Sequence, residues 1–308
     1  MVYVHPRLQP LLEAARGQPT LADLSVEQAR AQIAARTASR PRGPHVDQVI
    51  EVEAEGPRGP IPVRVYRPAH PCGLAVAFHG GGWLMGSRDS FDATCRNLAV
   101  ESGLAVANVE YRLAPEQPFP AAIEDAYAAT AWLAAQGSSL RLPADKLVVL
   151  GESAGGNLAA VACLMARDRG GPPIRLQVLV YPAVDARQRC ESLRTFETGY
   201  LQTTRDVACA WRTYGVGPHV AAEDWRVSPL LASSHAGLPP ALIISAECDG
   251  TRDDSDAYAQ ALLNSGVAAM HVRYAGMLHT FFGMRGIVDE AAEAQRQVGA
   301  AMRAAVAR

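Results

Sequence analysis

The chain has 308 residues, 49% of them hydrophobic and 19% charged, with a formal net charge of -2. That length and apolar content suffice for one large α/β domain or two small ones. The near balance of charge excludes an electrostatic basis for binding nucleic acid or an anionic membrane surface, and no apolar run reaches membrane-spanning length.

Residues up to about 37 read as helices. Leu8, Leu11, Leu12 and Ala15 share one face, Gly17-Gln18-Pro19 breaks the pattern, and Ser25 with Gln28 has the spacing of a capping box opening a second helix through Ala35. Pro41 and Pro44 mark a linker before about residue 46. Next, alternating Val49–Glu53 and Ile61–Tyr66 flank the turn chemistry of Gly56-Pro57-Arg58-Gly59-Pro60, which predicts an antiparallel hairpin.

The period then changes. Near-continuous apolar runs at 74–78, 104–109, 147–150, 176–181, 241–246 and 270–274 alternate with helical patterns at 91–102, 121–136, 155–168, 254–265 and 289–306. Apolar strands between amphipathic helices predict a mostly parallel sheet covered on both faces. With the hairpin, the count is about eight strands. Residues 185–228 interrupt the alternation without a clear strand, yet hold Trp211, Tyr214 and Trp225 and a helical pattern near 205–214. An insertion of that length with that aromatic content predicts a cap, formed together with the N-terminal helices. Its aromatic side chains serve either to line a pocket or to bury the cap against the sheet.

The strand Leu147–Leu150 runs into Gly151-Glu152-Ser153-Ala154-Gly155, and a helix follows. In that context Gly-x-Ser-x-Gly is a nucleophile elbow: the serine takes a strained backbone, and its neighbours two residues away must lack side chains. The following helix brings unpaired N–H groups and partial positive charge to the serine. A hydrolytic serine also needs donors for a developing oxyanion, a base and an orienting carboxylate. The stretch His79-Gly80-Gly81-Gly82-Trp83 directly follows an apolar strand, the position of an oxyanion loop, and no Walker lysine accompanies it. His79 precedes the serine and abuts the glycines, so it is expected to brace that loop. Downstream, Asp249 lies just past one strand and His279 in the loop past the next, the order Ser, acid, His. The rivals are placed differently. His271 is inside a strand, His219 and His235 fall in or beside the insertion, and Asp253, Asp254 and Asp256 lie at a helix start.

At this point the sequence resembles the hormone-sensitive-lipase-like (bacterial family IV) carboxylesterases of the α/β-hydrolase fold, from about residue 46 to the C-terminus. The similar stretches are His79–Trp83, Tyr111-Arg112-Leu113-Ala114-Pro115-Glu116, Gly151–Gly156, Ser228-Pro229-Leu230, Asp249 with Arg252-Asp253, and Gly276–His279. The resemblance implies Ser153, Asp249 and His279 as triad and the N–H groups of Gly81, Gly82 and Ala154 as oxyanion hole. Two departures are visible: Gly250-Thr251 where the family has a Pro-Leu-like pair, and Thr280 where glycine is common.

The expected architecture is therefore an α/β-hydrolase fold over residues 46–308, with cap helices over 1–45 and a cap insertion at about 185–228. The expected activity is hydrolysis of a small-molecule carboxylic ester of short to medium chain, without cofactor or metal. The reasoning is that a capped, apolar pocket lacking charged specificity groups suits such esters better than emulsified triglyceride. An amidase, peptidase or thioesterase with the same triad, or a ligand-binding relative without catalysis, fits the same residues. The six cysteines carry no C-x-x-C pair, and the N-terminus lacks the basic-then-apolar pattern of a secretory signal. Both features lead to the expectation of buried thiols and a cytoplasmic protein, with a homodimer left open.

Overall fold

A computed structural model describes residues 2–307. Eight strands form one sheet in the order β1-β2-β4-β3-β5-β6-β7-β8. They are β1 (Gln48–Gly56), β2 (Gly59–Arg67), β3 (Leu74–Phe78), β4 (Ala105–Val109), β5 (Leu147–Glu152), β6 (Ile174–Val180), β7 (Ala241–Cys248) and β8 (Ala269–Leu278). The hairpin β1-β2 runs antiparallel from Gln48↔Arg67 to Gly56↔Gly59 around Pro57-Arg58, and β2 is antiparallel to β4. All other neighbours are parallel.

Helices follow the strands: α1 (Gln9–Ala15) and α2 (Val26–Ser39) precede the sheet, then come α3 (Asp92–Ser102), α4 (Ala121–Gln136), α5 (Ala154–Asp168), α6 (Glu191–Thr195), α7 (Thr204–Tyr214), α8 (Arg252–Asn264) and α9 (Asp289–Val306). The apolar runs are continuous because both faces of the sheet are covered. Leu74, Val76 and Phe78 of β3 belong to the same buried cluster as Ala126 of α4, Leu158 of α5 and Leu262 of α8. Ala75 and Ala77 point the other way, among Leu98 of α3 and Val298 and Met302 of α9.

Three boundaries differ from those the sequence pattern suggests, and each bears on the site. Helix α2 begins with the expected reciprocal bonds, Gln28 N–H to Ser25 Oγ at 3.2 Å and Ser25 N–H to Gln28 Oε1 at 2.9 Å. It then continues past Ala35 to Ser39 and stops where Pro41 disfavours a helical residue before it. Strand β7 continues to Cys248 and β8 to Leu278, with a register irregularity between Ala246 and Cys248. Gly276, at φ 67°, reads locally as the end of a strand. Here its N–H donates to the Glu247 carboxylate at 2.7 Å and its carbonyl accepts from His5 N–H at 3.0 Å, so the ladder resumes beyond it.

Residues 185–228 contain α6 as well as the expected α7. Asp206 joins α7 to the N-terminal segment. Its Oδ2 accepts from Thr203 N–H at 2.8 Å, capping its own helix, while its Oδ1 accepts from Ala22 N–H at 2.8 Å. From α2, Arg30 grips Glu116 with both terminal nitrogens at 2.7 Å and donates to the carbonyls of Leu84 at 2.8 Å and Ala114 at 3.0 Å. The six cysteines are unpaired thiols, with Cys95, Cys163 and Cys248 buried and Cys72, Cys190 and Cys209 half-buried. No described helix is long and apolar enough to cross a membrane.

Candidate active site

Ser153 sits between β5 and α5 with φ 57° and ψ -117°, a conformation that costs an L-residue of order 1–3 kcal/mol and persists only where the surroundings impose it. The surroundings here are tight. A Cβ on Gly151 would lie 2.0 Å from the Gly155 carbonyl oxygen, and one on Gly155 would lie 2.0 Å from that of Phe78. The pentapeptide thus has glycine where backbone crosses backbone. Asn157, one turn into α5, is buried and donates to the carbonyls of Ala183 and Val227 at 2.8 Å each, fixing the helix against the segment that follows β6 and the end of the insertion.

Three side chains from distant parts of the chain meet above the sheet. Ser153 Oγ lies 3.0 Å from His279 Nε2, and His279 Nδ1 lies 2.7 Å from Asp249 Oδ2. With the carboxylate on Nδ1, the neutral imidazole carries its proton there and leaves Nε2 free to accept from the serine hydroxyl. Burial lowers the proton affinity of His279, but the adjacent Asp249 carboxylate, helped by Glu152, outweighs that and raises it above the usual imidazole value. Tyr181, at the end of β6, packs its ring on the imidazole with centroids 4.7 Å apart.

The Gly250-Thr251 departure adds to this arrangement. Thr251 N–H and its hydroxyl both donate to Asp249 Oδ1, at 2.8 and 3.0 Å, leaving Oδ2 to the histidine. The sequence marked Thr251 only as a departure from the family pattern, without a role. The signal was available only as a hydroxyl two residues after the acid, a spacing suited to bonding back to a carboxylate.

The glycine loop after β3 stands beside the serine. The Gly81 carbonyl turns away to accept from Leu84 N–H at 3.2 Å and Met85 N–H at 3.1 Å. The N–H groups of Gly81, Gly82 and Ala154 have no acceptor among the described residues. His79 braces the loop as expected. It is buried, its Nδ1–H donates to Gly80 O at 2.8 Å, and burial pushes its pKa down. Tyr111 stacks on its ring at 4.3 Å and donates to its carbonyl at 2.8 Å, which gives the Tyr111–Glu116 stretch its structural role.

The rival residues lie elsewhere. His271 pairs with Ser245 at 2.7 Å and with Asp256 at 3.1 Å within the sheet edge. His235 binds Pro229 O at 2.9 Å, and His219 is exposed. Asp253 accepts from Ser192 N–H at 2.7 Å, and Asp254 is buried near Val184 N–H at 3.4 Å.

The cavity over Ser153 has a volume of about 210 Å³. Trp83, Phe91, Ile33, Val207, Ala210 and Trp211 line its apolar side. The aromatic residues of the insertion divide between the two expected uses: Trp211 faces the cavity, whereas Tyr214 is buried against Trp83 with ring centroids 4.4 Å apart, and Trp225 packs on the core. The expectation of a pocket without charged groups is corrected. Arg36 of α2 and Arg40 just past its end stand among the lining residues, with Glu152 and Asp206, because α2 runs a turn further than its apolar pattern. Among the described residues no group of three or more His, Cys, Asp or Glu side chains is arranged to hold a metal ion.

Sheet order, elbow and three-residue contact together define an α/β-hydrolase. A family model described as the α/β-hydrolase fold matches residues 75–283, and the chain belongs to this family, in its hormone-sensitive-lipase-like (bacterial family IV) branch. Among its relatives, the carboxylic ester hydrolase LipN of Mycobacterium tuberculosis is 41% identical over 98% of this chain and 83% of its own. The ethyl acetate hydrolase of Pseudomonas putida is 40% identical over 76% of this chain and 75% of its own. The solved structure of a hyperthermophilic esterase from the archaeon Pyrobaculum calidifontis superposes with a TM-score of 0.91 at 37% identity, covering 98% of this chain and 99% of that one.

Proposed function

We propose that Ser153, His279 and Asp249 are the nucleophile, base and orienting acid of a serine carboxylesterase, with the N–H groups of Gly81, Gly82 and Ala154 as its oxyanion hole. The chain is a carboxylic ester hydrolase. The observation that carries the residue roles is the unbroken path from Ser153 Oγ through the imidazole to Asp249, 3.0 Å and then 2.7 Å.

The chemistry follows from that geometry. Ser153 Oγ attacks the ester carbonyl as His279 Nε2 takes its proton, and Asp249 stabilises the imidazolium without itself being protonated. Negative charge develops on the carbonyl oxygen, where preorganised N–H groups are each worth ~3 kcal/mol of barrier. The imidazolium then protonates the departing alkoxide. Water, deprotonated by the same nitrogen, releases the acid from the acyl-enzyme. A cavity of about 210 Å³ suits esters of short to medium acyl chain.

The helices of residues 1–45 and the insertion at about 185–228 act as one cap over the catalytic domain of residues 46–308. The Asp206 and Arg30 contacts support this division. Six unpaired thiols favour a reducing, cytoplasmic setting.

The test is turnover of p-nitrophenyl butyrate by wild type and by Ser153→Ala, with the anilide and thioester analogues run alongside. Loss of at least a thousandfold in the variant, with the ester preferred, is the expected result. Wild-type turnover by the variant would remove Ser153 from the reaction.

A further inference from the structure

Arg30 and Arg36 of α2, and Arg40 just past its end, are used differently. Arg30 is committed to Glu116 and to the carbonyls of Leu84 and Ala114. Arg36, in the last turn of α2, and Arg40, just past its end in an extended conformation, line the mouth of the cavity over Ser153. Neither guanidinium makes a hydrogen bond or an ion pair with any described residue. That of Arg40 hangs over the loop that leaves His279: a Cβ placed on Gly283 would lie 3.9 Å from Arg40 Nη1.

The acidic side chains around the cavity do not answer this charge. Asp206 has both oxygens occupied by the backbone N–H groups of Ala22 and Thr203. Glu152 is half-buried beside the nucleophile, and burial raises the pKa of its carboxyl even though Tyr181, His279 and Arg40 pull the other way. Two exposed cations therefore stand at the mouth of a largely apolar pocket without a hydrogen-bonded partner of their own. A guanidinium presents a planar fork of donors matched to a carboxylate.

Building on the carboxylesterase reading, we infer that the site takes esters carrying a second, unesterified carboxylate, which Arg36 and Arg40 hold at the pocket mouth while Ser153 meets the ester carbonyl. Such a carboxylate belongs either to the acyl part, as in half-esters of dicarboxylic acids, or to the alcohol part, as in acylated hydroxy acids. Both place one anion a short chain away from the scissile bond.

The experiment compares matched pairs by proton release. Mono-p-nitrophenyl glutarate against p-nitrophenyl pentanoate tests the acyl side, and 3-acetoxypropanoate against propyl acetate tests the alcohol side. For each pair the charged-to-neutral ratio of kcat/KM is measured in wild type, in the double variant Arg36→Gln/Arg40→Gln, in Arg36→Lys/Arg40→Lys, and in Arg58→Gln as an exposed charge change at the remote hairpin turn. In one pair the ratio is expected to fall about tenfold in the glutamine variant, mainly through KM. Lysine should retain most of it and Arg58→Gln all of it, and added salt should narrow the wild-type ratio. The pair that responds identifies the side of the ester that carries the anion. A ratio that is the same in wild type and the glutamine variant for both pairs overturns the inference. If in that case Ser153→Ala still abolishes turnover of the neutral esters, only the anion specificity falls. If Ser153→Ala retains turnover, the carboxylesterase reading falls with it.

Discussion

Cys248 and Leu278 lie opposite each other as the last paired residues of the parallel strands β7 and β8. The residues that follow them, Asp249 and His279, consequently leave the sheet side by side, with Oδ2 and Nδ1 at 2.7 Å. The register irregularity just below that pair, between Ala246 and Cys248, sets Cys248 opposite Leu278, and the main chain thus brings Asp249 to His279. Little side-chain entropy remains to be lost on forming the contact, since both residues are buried.

The pH dependence follows from that contact. In the proposed mechanism His279 must be neutral to accept the Ser153 proton, and Asp249 raises its pKa above the ordinary value of 6.5 despite burial. The acid limb of kcat/KM against pH for a neutral ester is expected to have its midpoint above 6.5, with activity lost as pH falls through it. The same raised pKa favours the folded state at pH below 6.5 and ceases to do so as pH rises through the folded-state value. A midpoint well below 6.5 would contradict the pairing.

Thr251 anchors the other oxygen of the acid. Thr251→Val keeps the shape and the backbone N–H but removes the hydroxyl 3.0 Å from Asp249 Oδ1. A hydrogen bond to a charged group is worth ~1.5–3 kcal/mol, and this one draws negative charge away from the histidine side. The variant should lose about tenfold in kcat/KM and shift the acid limb to higher pH. An unchanged profile and rate would show the hydroxyl to be idle.

Thr280, immediately after His279, has φ 71°, a region in which a β-branched residue pays ~1–2 kcal/mol. Glycine there removes that strain but frees the unfolded chain by ~0.4–1 kcal/mol. Thr280→Gly is therefore expected to raise stability by up to about 1 kcal/mol in denaturant titration. A clear destabilisation would mean that the threonine side chain holds the loop.

Asp254 supplies a stability prediction of opposite sign to that of an ordinary carboxylate. Burial first, and then the nearby Asp185 carboxylate, raise its pKa from 3.8 to about 7. Between those values the folded state binds a proton that the unfolded state has released, so this group's contribution falls as pH rises from about 4 to about 7. Asp254→Asn should flatten that slope and be the more stable protein at pH 8. If urea midpoints at pH 5 and pH 8 change equally in both proteins, Asp254 is not carrying the effect.

Much of this arrangement was legible in the residues. The elbow, the glycine loop and the order serine, acid, histidine each rest on a backbone requirement that leaves a mark in residue type: glycine where chains cross, an apolar run where a strand is buried. The ends of elements were less legible. Gly276 reads as a stop, yet the strand resumes because Glu247 and His5 take up its backbone groups from elsewhere in the chain. The end of α2 depends on Pro41 and on docking through Arg30 rather than on an apolar stripe. Its last turn, which carries Arg36 and leads into Arg40 at the pocket mouth, has no periodic signature. Tyr181 was invisible, and Thr251 stood out only as a departure without a role, because their partners are close in space and not marked by any pattern.

The central claim is that Ser153 becomes acylated because His279 takes its proton. Rapid quenching of the wild type with p-nitrophenyl butyrate, followed by peptide mass analysis, measures this directly, with His279→Ala treated identically. The account predicts a butyryl group on the peptide bearing Ser153 in wild type, and almost none in the His279 variant on the same timescale. Acylation at another residue, or equal acylation of Ser153 in both proteins, would contradict it.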